Sequence, residues 1–266
     1  MNGLSSVKGN YALSSNYYLT PPNNNTVRVQ QNNEPSDATK TIATAGILQA
    51  LALALQKASG WFSSKLMQGK EFTSAENVKK VADTMLKDNK LKVSVDYIDD
   101  INIKNYKPEL REMLKPVARG ENAFYADSLK LAVAPKNKPS LILHELGHAI
   151  NAQKGKFMKF LQKSRGWAPA VPTGLLMLNG FFKRDDGKPN FIERNAGLIG
   201  FSAFLPTIVE EGLASIRGVK AAKKVLGKGA NLAPLKRNYL FAWMTYLIAG
   251  LGLGVAAKQC FVESKK

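Results

Sequence analysis

Cysteine is nearly absent from the chain, and a single residue, Cys260, excludes both an intrachain disulfide and any zinc site built on thiolates. Histidine is almost as scarce, with 2 residues in 266. Acidic groups are outnumbered, 20 Asp and Glu against 38 Lys and Arg, for a formal net charge of +18. Such a deficit of negative charge points to an anionic partner, either nucleic acid or an anionic membrane surface. The usual nucleic-acid signals are missing as well: no basic stripe interleaved with aromatics, no zinc-finger spacing and no RNP-like run, so no nucleic-acid partner is expected. The chain opens without a basic segment leading into an apolar one, which predicts no cleaved signal peptide. Residues 1–40 have too few aliphatic side chains to bury a core (NYYLTPPNNNTVRVQQNNEPSD is typical), and a disordered tail is expected there.

What the sequence does contain is concentrated. Both histidines fall in Leu141 to Asn151, LILHELGHAIN, as His144-Glu145-Leu146-Gly147-His148. In H-E-x-x-H the i, i+4 spacing puts both imidazoles on one helix face, where they can share a metal, with the intervening Glu poised to activate a water. The motif is short and also occurs by chance in proteins that bind no metal. Two histidines scattered at random would seldom meet in it, however, and the flanking Leu141, Ile142, Leu143, Ala149 and Ile150 would bury the helix.

Around this helix, Phe72 to Asp88 carries helical periodicity opened at Ser74, and Leu91 to Tyr97 alternates as a strand does. Asn122 to Ala126 and Leu129 to Ala134 read as two more strands, and Ser140 stands where it could cap the motif helix. Ala123, Phe124, Tyr125 and Ala126 form a candidate edge strand for substrate, since strand addition binds peptide with little demand on its sequence. An ordinary core hairpin is the alternative. Three apolar stretches add to this core. Thr41 to Gln56 is uncharged and reads as a short span, an interfacial helix or a buried one. Gly166 to Phe182 and Asn195 to Val209 read as a helical hairpin about the polar loop Lys183 to Lys188. Tyr239 to Ala257 holds nineteen uncharged residues, with Gly250 and Gly254 at the spacing that lets membrane helices approach. Positive charge gathers at Lys154 to Arg165 and Arg217 to Arg237, on the motif side of the hairpin, which by the positive-inside rule turns the motif toward the cytoplasm.

A catalytic zinc takes three protein ligands. With both histidines used, the third must be Asp or Glu, and none occurs between His148 and Asp185. Asp185, Asp186 and Glu193 would lie at the far end of a spanning hairpin. Glu210 and Glu211 lie where the returning helix re-enters the motif side.

HELGHAIN followed by two apolar helices and then Glu211-Gly212-Leu213-Ala214-Ser215 resembles the integral-membrane gluzincin zinc metallopeptidases, the family of the heat-shock membrane protease and the CAAX prenyl endoprotease. That family's second motif is Glu-x-x-Ala-Asp, and Asn122-Ala123 resembles its Asn-Ala segment. The resemblance covers roughly Asn122 to Arg217. It implies His144, His148 and Glu211 as Zn2+ ligands and Glu145 as general base. Ser215 stands where the family has Asp, whose expected task is to orient a ligating His; Ser215 does this more weakly, or Glu210 substitutes. Arg217, Tyr125 or a backbone amide is left to stabilise an oxyanion.

The expected fold is therefore α+β: a zincin-like metallopeptidase core of a small sheet plus the H-E-x-x-H helix, carrying hydrophobic, transmembrane helices. The expected division is a tail at 1–40 and an apolar helix at 41–62, then a catalytic domain at 63–237 with the apolar hairpin 166–209 inserted. A C-terminal membrane helix and short tail follow at 238–266. The expected function is that of a multi-pass membrane zinc endopeptidase acting on polypeptide, its site facing the cytoplasm and its surface on anionic lipid. The alternatives are a weak or inactive zinc-binding interaction protein of the membrane, and a soluble or peripheral zinc peptidase. No oligomeric state follows from the sequence.

Overall fold

The computed structural model describes residues 37–181 and 188–263. The expected tail up to residue 36, the loop residues Asp185 and Asp186, and residues 264–266 lie outside them. The first helix, α1, covers Asp37–Gln68 and is twice as long as the uncharged stretch from Thr41 to Gln56. Its second half is fixed by aromatic packing, with Trp61 edge-on to Phe62 at 4.8 Å and both rings against Phe241.

Helix α2 (Ala75–Asp88) starts where the sequence says it should, at Ser74, whose Oγ accepts from the Asn77 N–H at 3.3 Å. It buries Val78, Val81, Ala82 and Met85, the stripe its periodicity marks out. Strand β1 (Ser94–Ile98), helix α3 (Pro108–Ala118), strand β2 (Phe124–Ala126) and strand β3 (Leu131–Pro135) follow. The strands form one mixed sheet in the order β1-β3-β2, with β1 parallel and β2 antiparallel to β3. Because successive side chains point to opposite faces, Val133 joins Ile98, Leu114 and Val117 on the α3 side, while Ala132 and Ala134 face the main core. The sheet thus lies between α3 and the motif helix α4 (Leu141–Gln153). Strand β2 is shorter than the stretch 122–126 but does occupy a sheet edge.

Helix α4 is buried from Leu141 to Ala152, as a helix apolar on nearly every side must be. Ser140 does not cap it. Its backbone is already helical (φ −61°, ψ −21°), and its hydroxyl and N–H both donate to the Glu71 carboxylate, at 2.9 and 3.2 Å. A charged acceptor outcompetes the local cap and places negative charge at the helix N-terminus.

The hairpin departs from expectation in both limbs. The basic stretch forms α5 (Lys156–Trp167), a 3-10 turn covers Ala168–Ala170, and the apolar part of the first limb is α6 (Val171–Phe181). Eleven residues rise only about 16 Å, too short for a hydrocarbon core of about 30 Å. The second limb does not stop at Val209; α7 (Phe191–Leu226) runs unbroken through Glu210 and Glu211 for 36 residues. It packs along α8 (Ala233–Glu263). Among the described residues α7 and α8 are the two helices long and apolar enough to cross a membrane, and α1 is not a third. Small residues set their closeness: a Cβ on Gly254 would stand 2.7 Å from Gly197 O, and one on Gly200 would stand 2.8 Å from Ala257 Cβ.

Candidate metal centre

Helices α4 and α7 cross at Gly147. A Cβ there would run into the backbone of Ala214, and one on Gly218 would reach Leu143 O at 3.0 Å. Only glycine lets the two backbones meet so closely. The contact carries the middle of α7 beneath the H-E-x-x-H face. Glu210 and Glu211 are fully buried in mid-helix.

His144 Nε2 and His148 Nε2 face each other at 3.0 Å. Glu211 Oε2 completes a triangle, 3.1 Å from the first and 3.5 Å from the second. The remaining ring nitrogens are held from behind: His144 Nδ1 meets Ser215 Oγ at 3.0 Å, and His148 Nδ1 meets Glu210 Oε1 at 2.8 Å. Since a carboxylate only accepts, His148 carries its proton on Nδ1, leaving the Nε2 lone pair toward the triangle. Two imidazole nitrogens and a carboxylate oxygen then converge on one point, an arrangement that repels itself unless a positive centre stands among them. Burial pulls the His148 pKa down, but hydrogen bonds to Glu210 and Glu211 outweigh it and push it up to about 10. A proton can thus supply that positive centre, and a cation can take its place.

Glu145 is buried beside the two imidazoles, and all three residues offer ligand atoms within 4.8 Å of one another. Burial raises its pKa, with the imidazoles pulling the other way. A cavity of about 160 Å³ opens onto His144 and Glu145, lined also by Asn122, Ala123 and Tyr246. The H-E-x-x-H residues and the two glutamates of α7 form a buried group able to hold a metal ion.

Several residues that sequence reasoning passed over belong to the centre. Arg165 of α5 donates to Glu210 Oε2 at 2.6 Å and stands against Glu211 Oε1, which is buried without a well-formed hydrogen bond. Asn151 and Gln162 both donate to Glu210 Oε1, at 2.9 and 3.2 Å. The i+3 spacing of Asn151 from His148 was a legible signal; Arg165 sits among lysines that read as a solvated basic face.

The other candidates lie further out. Arg217 donates to Asn151 Oδ1 at 2.6 Å, so it reaches His148 only through Asn151 and Glu210. Ala123 reaches the cavity, whereas Phe124 packs on the α3 side of the sheet. The Tyr125 hydroxyl donates to Asp127 at 2.5 Å on the surface, and Ala126 pairs with Leu131. Asn190 caps the start of α7 by accepting from the Glu193 N–H, and the Glu193 carboxylate, seventeen residues before Glu210 and so about 26 Å along the helix, accepts from Asn179.

Comparison with protein-family models, with curated proteins and with solved structures gave no match.

Proposed function

We propose that the protein is a membrane-embedded zinc metalloendopeptidase, with His144, His148 and Glu211 as ligands and Glu145 as general base. One observation carries the reading: the three candidate ligand atoms stand 3.0, 3.1 and 3.5 Å apart. Nitrogen and oxygen donors in a tetrahedron about zinc are about 3.3 Å from one another. The donor types agree with that size, two neutral imidazoles and one carboxylate being the set of a catalytic zinc rather than of Mg2+ or Ca2+. The supports behind the ligands favour it too, because Glu210 holds His148 in one tautomer and Ser215 holds the orientation of His144. Arg165 offsets part of the charge of the two buried glutamates.

Zinc held there would polarise a scissile carbonyl and lower the pKa of water at its open position. Glu145 takes the proton from that water and returns it to the leaving amine. Substrate enters by the cavity at Ala123 and Tyr246 and pairs along β2, the free edge beside α4. The two membrane-length helices and the concentration of positive charge at one end of them support a membrane protein whose site faces the cytoplasm. The resemblance in HELGHAIN and in Glu211 to Ser215 supports the same class.

The test is hydrolysis of an unfolded protein such as casein by the detergent-purified chain. Wild type should cleave it, a zinc chelator should stop cleavage, and Glu145→Gln should cost at least a hundredfold in rate while zinc remains bound. Cleavage unaffected by Glu145→Gln would remove the peptidase reading.

A further inference from the structure

An open groove of about 650 Å³ lies between α7 and α8, on the side of Ser215 and Tyr239. Its wall is formed by Ile208, Val209, Ile216 and Val219 from one helix and by Leu240 and Trp243 from the other. Val209, Ile216 and Leu240 are 48%, 49% and 53% exposed, more than water usually leaves to three neighbouring aliphatic side chains. The Trp243 indole N–H, the polar atom most at odds with such a wall, donates to Ile208 O at 3.0 Å. Two charges line the groove, Lys220 and Lys236, one near the C-terminus of α7 and the other near the N-terminus of α8. They therefore stand at the same end of the antiparallel pair. Both are exposed, neither makes an ion pair with a described residue, and no acidic side chain lines the groove. From Lys220 to Ile208 the apolar wall runs twelve residues, about 18 Å.

We propose that this groove is a binding site for one anionic phospholipid, with an acyl chain along Ile216, Val209 and Leu240 and the phosphate between Lys220 and Lys236. The inference rests on the membrane reading above. A chain that is apolar along its length and negative at one end matches a slot that is apolar along its length and doubly positive at one end. The site also touches the metal centre. Ser215 lines the groove and meets His144 Nδ1, and Tyr239 lines it with its ring 5.5 Å from that of His144. A bound lipid thus packs against Ser215 and Tyr239, which neighbour His144.

The experiment uses the full chain reconstituted in nanodiscs of phosphatidylcholine with phosphatidylglycerol, followed by detergent extraction and native mass spectrometry of the lipid retained. Wild type should keep phosphatidylglycerol over phosphatidylcholine. The double change Lys220→Ala and Lys236→Ala should lower that preference about thirtyfold, each direct charge-assisted contact with the phosphate counting for about fivefold. The double change Lys223→Ala and Lys228→Ala removes two exposed lysines at the same end that do not line the groove, and should alter the preference by less than about twofold because salt screens charges that make no direct contact. Ile216→Trp, which fills the groove, should lower retention of both lipids. Equal losses from the two lysine pairs would reduce the effect to diffuse surface attraction and overturn the site, as would full retention by Ile216→Trp. Failure of wild type to enter nanodiscs of either composition would overturn the membrane reading and this inference with it. Zinc content measured on the same samples stays at the wild-type value in the Lys220/Lys236 variant, which keeps a lost lipid site distinct from a lost fold.

Discussion

The two halves of α7 share one helix and obey different rules. From Phe191 to Val209 the helix is almost free of charge beyond its first turn, and it meets α8 through Gly197 and Gly200, small residues that exchange side-chain volume for closeness. From Glu210 to Leu226 it meets α4 equally closely, at Gly147 and Gly218, but delivers two buried glutamates and a serine into polar contacts. Close approach in the first half serves packing alone. In the second it sets the distances of a candidate metal centre, and sub-ångström displacement matters far more there.

The sharpest way to break the contrast is Glu211→Ala. Zinc content should fall from about one per chain to near zero, since two imidazoles alone rarely retain the metal through purification. Next comes Gly147→Val, whose side chain must displace the Ala214 backbone; it should lower stability by about 3 kcal/mol or more and lose zinc with it, read as the thermal midpoint and metal content in detergent. The supports behind the rings should separate by charge. Glu210→Ala leaves His148 Nδ1 and Arg165 without their shared acceptor and should weaken zinc about a hundredfold, while Ser215→Ala removes a single neutral partner and should cost about tenfold, both by competition with a zinc indicator. The smallest effect on zinc comes from the other half. Gly254→Leu should loosen α7 from α8 by about 1–3 kcal/mol yet leave zinc affinity unchanged, and a loss of affinity comparable to Ser215→Ala would show that the halves are not separate.

Much of this was legible because the decisive residues are local. His144 and His148 are four apart on one helix, with Glu145 next to the first, and Glu211 and Ser215 are four apart on another, so spacing alone puts each pair on one face. The mixed sheet was legible as three strand segments, though its order was not, because pairing depends on how the chain returns through α3. Ser140 misled because its rival for the helix start, Glu71, is sixty-nine residues distant in sequence. Arg165 could not be read from a run in which Lys154, Lys156, Lys159 and Lys163 all have the same charge and only one guanidinium turns inward. Continuity of α7 through Glu210 was hidden because a change from apolar to polar composition looks like a helix boundary and here marks only a change of neighbours.

The most direct measurement is zinc-edge X-ray absorption of the detergent-purified wild-type chain after supplementation with zinc. The account predicts about one zinc per chain, with two imidazole nitrogens at about 2.0–2.1 Å and oxygen in the remaining positions, no sulfur, and the same imidazole signature in Glu145→Gln. A chain that stays metal-free at saturating zinc, or zinc held by a single imidazole, would contradict it.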